Sequence, residues 1–123
     1  MAKPINSSKI EGAWQMNSYV RKDGKAPLTG VLLLTSGRWS TLYFVPQNGV
    51  SSTWCSAEAG RYTVKGDELT FRHDYTFQGG GGKELVMDLT ATTVETCRIV
   101  LTSETLEISF PSGNVIHCCR YSE

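Results

Sequence analysis

Nothing in this chain of 123 residues is long, strongly charged or arranged as a catalytic signature. Its longest aliphatic run, Val31–Leu34, is four residues, far short of the ~20 that an apolar helix needs to span a bilayer. Basic and acidic residues number 12 each, for a formal net charge of +0, and no basic block occurs. Neither nucleic acid nor an anionic membrane is therefore an expected partner, and no membrane span is expected. No Cys-x-x-Cys spacing supports a zinc or redox motif. No Gly-x-Gly-x-x-Gly occurs, and the glycines at 79–82 are followed by neither a phosphate-binding Lys-Ser or Lys-Thr nor a helical period. With only His73 and His117, neither in a nucleophile elbow, no Ser-His-Asp set can be assembled. Cofactors and metals are accordingly not expected. The stretch Met1–Glu11 is polar and lacks the apolar centre of a signal peptide, so a cytoplasmic location is the expectation.

Short strands separated by turn residues are what the chain does contain. Strands are expected over Ala13–Arg21, Gly30–Thr35, Arg38–Val45, Gly60–Val64, Glu68–Phe77, Lys83–Thr90, Glu95–Leu101, Thr105–Phe110 and Val115–Tyr121. Between them lie Asp23-Gly24, Ser36-Gly37, Lys65-Gly66-Asp67 and Pro111-Ser112-Gly113-Asn114, residues suited to tight turns. Pro46 should end the third strand because it cannot donate to a ladder. Gln47–Glu58, which carries Trp54, reads as the longest irregular piece, holding one helical turn or a covering loop, and the glycine run as a hinge or hairpin tip. Roughly nine short strands at regular spacing define an antiparallel barrel or sandwich. One domain over 1–123 is expected, with 1–10 as a flexible N-terminal segment. The four cysteines, Cys55, Cys97, Cys118 and Cys119, read as small buried or half-buried thiols, with a long-range bridge left open.

Several local motifs follow one another in a recognisable order. Gly12-Ala13-Trp14-Gln15-Met16-Asn17-Ser18-Tyr19 is followed by Asp23-Gly24, by Gly30–Ser40, and by Gly60-Arg61-Tyr62 ahead of Gly66-Asp67. This order resembles the small lipocalin-like domains of the calycin superfamily. The resemblance implies an all-β fold, a single antiparallel up-and-down barrel of about eight to nine strands. It also implies a closed floor. First and last strands become neighbours in a barrel, so Arg120 would lie over the indole of Trp14 in a cation–π contact. Members of that superfamily bind apolar small molecules, and some related barrels are cofactor-free isomerases or cyclases.

One parity of each barrel strand faces inward. In Glu68–Phe77 the apolar parity is Leu69, Phe71, His73, Tyr75 and Phe77. Trp14, Met16 and Ser18 are expected inward on the first strand, with Leu85, Met87 and Leu89 inward on the sixth and Leu106, Ile108 and Phe110 on the eighth. The inward parity of the third and last strands stays open. The expected ligand-binding residues are Trp39, Tyr43, Phe71, His73, Tyr75, Phe77 and Met87, and the expected ligand is a small hydrophobic molecule. The alternative is an isomerase, cyclase or dehydratase. In that case His73, neutral because its apolar surroundings depress its pKa, is the general base and Tyr75 the general acid. The competing structural reading makes His73 a hydrogen-bonded core residue and Tyr75 part of the wall. Arg72, Asp74, Glu95, Arg98 and Glu107 are expected on the outside in cross-strand charge pairs. An exposed edge strand would allow a homodimer.

Overall fold

The computed structural model describes residues 7–21, 24–47 and 49–121; side chains are described for these except 7, 8 and 47–52. Asp23 of the first expected turn lies outside them. Nine strands follow a single helical turn, α1 (Ser7–Ile10): β1 (Gly12–Arg21), β2 (Gly24–Thr35), β3 (Arg38–Gln47), β4 (Gly49–Lys65), β5 (Glu68–Gly80), β6 (Lys83–Asp88), β7 (Val94–Leu101), β8 (Thr105–Ser109) and β9 (Val115–Arg120). Neighbouring strands are antiparallel in the order β4-β3-β2-β1-β9-β8-β7-β5-β6, and a β4–β5 pairing closes the ring. Eight strands form the closed up-and-down barrel and β6 is one extra. The expected all-β barrel is thus present.

β6 and β7 share the same edge of β5. The first half of β5 pairs with β7, from Glu68↔Arg98 to Arg72↔Val94, and its second half with β6, from Thr76↔Asp88 to Gly80↔Lys83. The residues between β6 and β7 leave the ladder, so β6 stands as a flange beside the open end.

The two ends of the barrel differ. Ile10, Trp14, Leu34, Leu69 and Leu106 are fully or almost fully buried at one end. Arg120 faces Trp14 across the β1–β9 ladder, and its guanidinium carbon lies 4.1 Å from the indole centroid. The guanidinium also donates to the carbonyls of Glu11 and Lys9 at 2.9 Å and of Ser103 at 3.1 Å, while the indole N–H donates to the Ile10 carbonyl at 2.8 Å. These bonds tie α1 beneath the barrel as a plug. Of the expected flexible segment 1–10, the described residues 7–10 form α1, with Ile10 buried.

Two strand expectations also change. Gln47–Glu58 is not an irregular loop: β4 begins at Gly49 and pairs with β5 as far as Trp54↔Gly80. Pro46 does not end β3 but sits where its register shifts, between Val45↔Trp54 and Gln47↔Gly49. A missing N–H is tolerated at such an irregularity. The glycine run forms the β5–β6 hairpin tip, with Gly80, Gly81 and Gly82 at positive φ.

Candidate functional site

Toward the open end the core gives way to a cavity of about 210 Å³. Its wall is apolar and aromatic, with Trp39, Tyr43, Phe71, Phe110 and Ile116 among the lining residues. Trp39 meets Phe71 and His73 edge-on, at centroid distances of 5.0 Å each, and Phe71 stacks on Phe110 at 6.5 Å. Offset and edge-on contacts of this kind hold aromatic rings in fixed orientations. Alternation on β3 places Trp39, Thr41 and Tyr43 inside, with Leu42 and Phe44 exposed. On β9, buried Ile116 and Cys118 alternate with more exposed His117 and Cys119. Both parities left open by the sequence are thereby settled.

A β-bulge organises the polar side of the cavity. Gly60 pairs with His73 and Ala59 with Tyr75, so Asp74 is an extra residue on β5. One inserted residue reverses the inside–outside alternation of everything beyond it. Gly60 permits this. A β-carbon there would collide with the Arg72 carbonyl and stand 3.0 Å from the Trp39 indole nitrogen. The Trp39 N–H instead donates to that carbonyl at 3.1 Å, and the His73 N–H donates to the Thr93 carbonyl at 2.9 Å.

Three expected site residues are corrected by the bulge. Tyr75 points outward and is 54% exposed, so it cannot act with His73 inside the cup. Phe77 is opposite Ala57 and Met87 on the outer face, and Met87 is 65% exposed. Leu85 and Leu89 are likewise exposed rather than inward. Trp39, Tyr43, Phe71 and His73 are brought together around the cavity as expected.

Regular alternation on the two strands that flank β5 brings in residues expected elsewhere. Glu95 was expected outside, yet it lines the cavity and its Oε1 lies 2.9 Å from His73 Nε2. Glu58 lines it too, with Oε1 3.9 Å from His73 Nδ1 and accepting from Gln78 Nε2 at 3.2 Å. His73 Nδ1 is buried and has no hydrogen-bond partner among the described residues. The imidazole, 6% exposed, is thus held between two carboxylates. Its pKa is raised, chiefly by the Glu95 hydrogen bond, with burial opposing and the Glu58 charge assisting. This reverses the expected depression: the flanking carboxylates outweigh the apolar wall. Burial pushes the Glu58 carboxyl up, against the lowering influence of His73 and the Gln78 hydrogen bond. Tyr43 and Tyr19 are raised mainly by burial. Tyr19 reaches the cavity because the register shift around Asn17 sets it opposite Ile116, and its hydroxyl accepts from Asn114 Nδ2 at 2.6 Å.

An outer vestibule adjoins the cavity. Arg21, Val45, Trp54 and Lys83 line it, and it shares Tyr19, Tyr43 and Ile116 with the inner chamber. The remaining charges lie outside as expected. Asp74 is 3.9 Å from both Arg38 and Arg61, Arg98 is 3.0 Å from Asp67, and His117 is 3.8 Å from Glu107.

No protein-family model, no curated protein and no solved structure matches this chain.

Proposed function

We propose that this protein is a lipocalin-like binder of the calycin type that takes one small, largely apolar or aromatic molecule into its barrel. The observation that carries this is the cavity itself: a closed floor, an open end, and an aromatic chamber of about 210 Å³ between them. A sheet that merely needed stability would fill that space with side chains, because empty volume in a core is destabilising. The chamber is smaller than the ~300–1,000 Å³ of drug-sized sites. It suits a ligand of roughly one aromatic ring with a short substituent, since ~150 Å³ accommodates benzene.

The test is native mass spectrometry of the protein after incubation with a small-molecule metabolite mixture, alongside Ile116→Trp, which fills the chamber. A compound retained by the wild type and excluded by the variant supports the reading. If a broad mixture leaves nothing bound, the reading is wrong.

The Glu58–His73–Glu95 cluster favours a second reading, cofactor-free acid–base catalysis on the same ligand. Glu95 would orient the imidazole, and Glu58 with His73 would take up and return a proton. Tyr75 has no part in it. In the same experiment, a compound recovered isomerised or dehydrated by the wild type, and bound unchanged by His73→Phe, would establish the enzyme.

A further inference from the structure

The charges enclosed by the chamber do not balance. Its lining includes two carboxylates, Glu58 and Glu95, one imidazole, His73, and among the described residues no lysine or arginine. One shared proton leaves a net charge of −1 whether the proton sits on the imidazole or on a carboxyl group. Glu95 has His73 at 2.9 Å, whereas among the described residues Glu58 has no cationic group nearer than 3.9 Å. An enclosed carboxylate without a close cation is costly, and a ligand that brings the cation relieves the cost. Trp39 and Tyr43, on the strand beside Glu58, and Phe71 line the same chamber, and aromatic faces attract a cation through their quadrupoles. Arg21 and Lys83 carry the opposite sign, but they are exposed and belong to the vestibule, where solvent screens them.

We propose that the molecule bound in the cup is a small aromatic amine, its ammonium group set against Glu58 and its ring against the aromatic wall. This inference rests on the binding reading above. The experiment uses three isosteric probes on the full chain, followed by calorimetry and thermal shift: 2-phenylethylamine, 2-phenylethanol and phenylacetate. The amine is expected to bind about tenfold or more tightly than the alcohol, the difference that one charge-assisted hydrogen bond makes, and phenylacetate least. Glu58→Gln keeps an acceptor for Gln78 and should bring amine and alcohol close together. Alcohol binding equal to or tighter than amine binding in the wild type overturns the amine assignment and leaves the cup a binder. An amine preference that survives Glu58→Gln also overturns it. Binding of none of the three overturns the amine assignment, while the binding reading itself stands or falls with the metabolite mixture.

A separate observation concerns the outside of the barrel. Reading across the ladders gives three transverse rows on one outer face: Val31–Leu42–Ala57–Phe77–Met87, Leu33–Ser40–Ala59–Tyr75, and Phe44–Cys55–Gly79 with Leu85 lying against Gly79. No charged side chain stands in these rows, and Leu33, Leu42, Phe44, Tyr75, Leu85 and Met87 are all substantially exposed. One row of five positions and two of four, at ~4.8 Å between strands and ~6.7 Å between rows, make a footprint of roughly 420 Å². Two such faces in contact bury roughly 800 Å², the size of a weak, concentration-dependent association. A two-fold interface sets a patch against itself, and a patch without charge can do so without desolvating an ion or opposing like charges.

We infer that a second copy of this chain covers the face, giving a symmetric dimer. Sedimentation equilibrium of the full chain should show a concentration-dependent dimer. The variants Phe77→Glu and, independently, Leu42→Lys should sediment as monomers with unchanged strand signal by circular dichroism. Val86→Glu, on the opposite side of β6, should leave the dimer intact. A monomeric wild type at the highest soluble concentration overturns the inference. So does a Phe77→Glu or Leu42→Lys protein that remains dimeric.

Discussion

Single residues decide the chemistry of the cup, and Gly60 decides which ones reach it. Its missing side chain lets the β5 backbone approach β4, the Trp39 indole bind the Arg72 carbonyl, and Asp74 bulge out. A methyl group there must push the strands apart. Gly60→Ala should therefore cost about 1–3 kcal/mol, the scale of overpacking, in a urea titration. Gly66→Ala meets no neighbouring atom but is strained by its φ of +64°, at a cost of about 1 kcal/mol. If Gly60→Ala is the milder of the two, the close approach does not govern the bulge. His73 was legible from sequence because a lone polar residue stood on an apolar parity. Glu58 and Glu95 were not, although both follow regular alternation: Glu58 stands in a stretch that reads as loop, and Glu95 shares the inward parity of Cys97, Ile99 and Leu101 but, being charged, reads as an outer residue. The bulge that turns Tyr75 and Phe77 outward is a backbone event, signalled only by one glycine on the partner strand. The sign of the His73 shift follows from these carboxylates. Because its folded pKa lies above the ordinary value of 6.5, its contribution to stability is complete below that pH and disappears as pH rises through the folded pKa. Imidazole proton resonances followed against pH should place the wild-type His73 midpoint above 6.5. Glu95→Gln, which removes the largest raising influence, should lower it. A midpoint that does not move would mean the hydrogen bond is not its cause.

Among the elements, β6 differs in kind from the rest. All six of its residues are exposed, and it pairs with β5 alone. The barrel strands each have two neighbours and bury one face. Stability is not uniform across a structure of this sort: segments with few buried contacts open locally at small free energies. In the chain as a monomer, β6 amides should exchange within the earliest time points of a hydrogen-exchange series. Those of β1 and β9, which flank the Trp14–Arg120 contact, should be among the slowest. Slow exchange in β6 at low concentration would mean that something other than β5 covers it; slow exchange only at high concentration would agree with the dimer. The sequence showed the number and order of the strands well, because turn residues punctuate nearly all of them. It hid the first part of β4, since Asn48-Gly49-Val50-Ser51-Ser52-Thr53 has neither strong alternation nor a hydrophobic face. From Gly49 the chain is a strand because β3 extends beside its start, at Gln47↔Gly49, and β5 joins it from Trp54, a tertiary cause that local pattern cannot express.

At the scale of the whole molecule, a barrel is a ring closed by contacts between distant parts of the chain, and here the closure is concentrated at the floor. The Gly12-Ala13-Trp14 and Arg120 pairing was readable at both termini because it depends on residue identity rather than on parity. Arg120 joins β9 to Trp14 and, through three backbone carbonyls, to α1 and the β7–β8 turn. A cation–π contact of this kind contributes ~1–2 kcal/mol, and hydrogen bonds from a charged donor add about as much again. Arg120→Ala should therefore cost about 2–4 kcal/mol. Arg120→Lys should recover little of it, because a point ammonium cannot reach three carbonyls while lying flat on an indole. Buried thiols report whether the loss is global. Cys97 and Cys118 are enclosed in the barrel, and burial pushes both thiols up to about 12, whereas Cys55 and Cys119 are partly exposed. A thiol-reactive dye at pH 8 should label the latter two first in the folded chain at concentrations where it is a monomer. Cys97 and Cys118 should react only when the barrel opens, since thiolate is the reactive form. In Arg120→Ala these two should become labelled together and faster, in step with the lost stability, while Cys55 labelling is unchanged. If only Cys118, which neighbours the floor, accelerates and Cys97 does not, then opening is confined to β9 and the floor contact does not close the barrel as a whole.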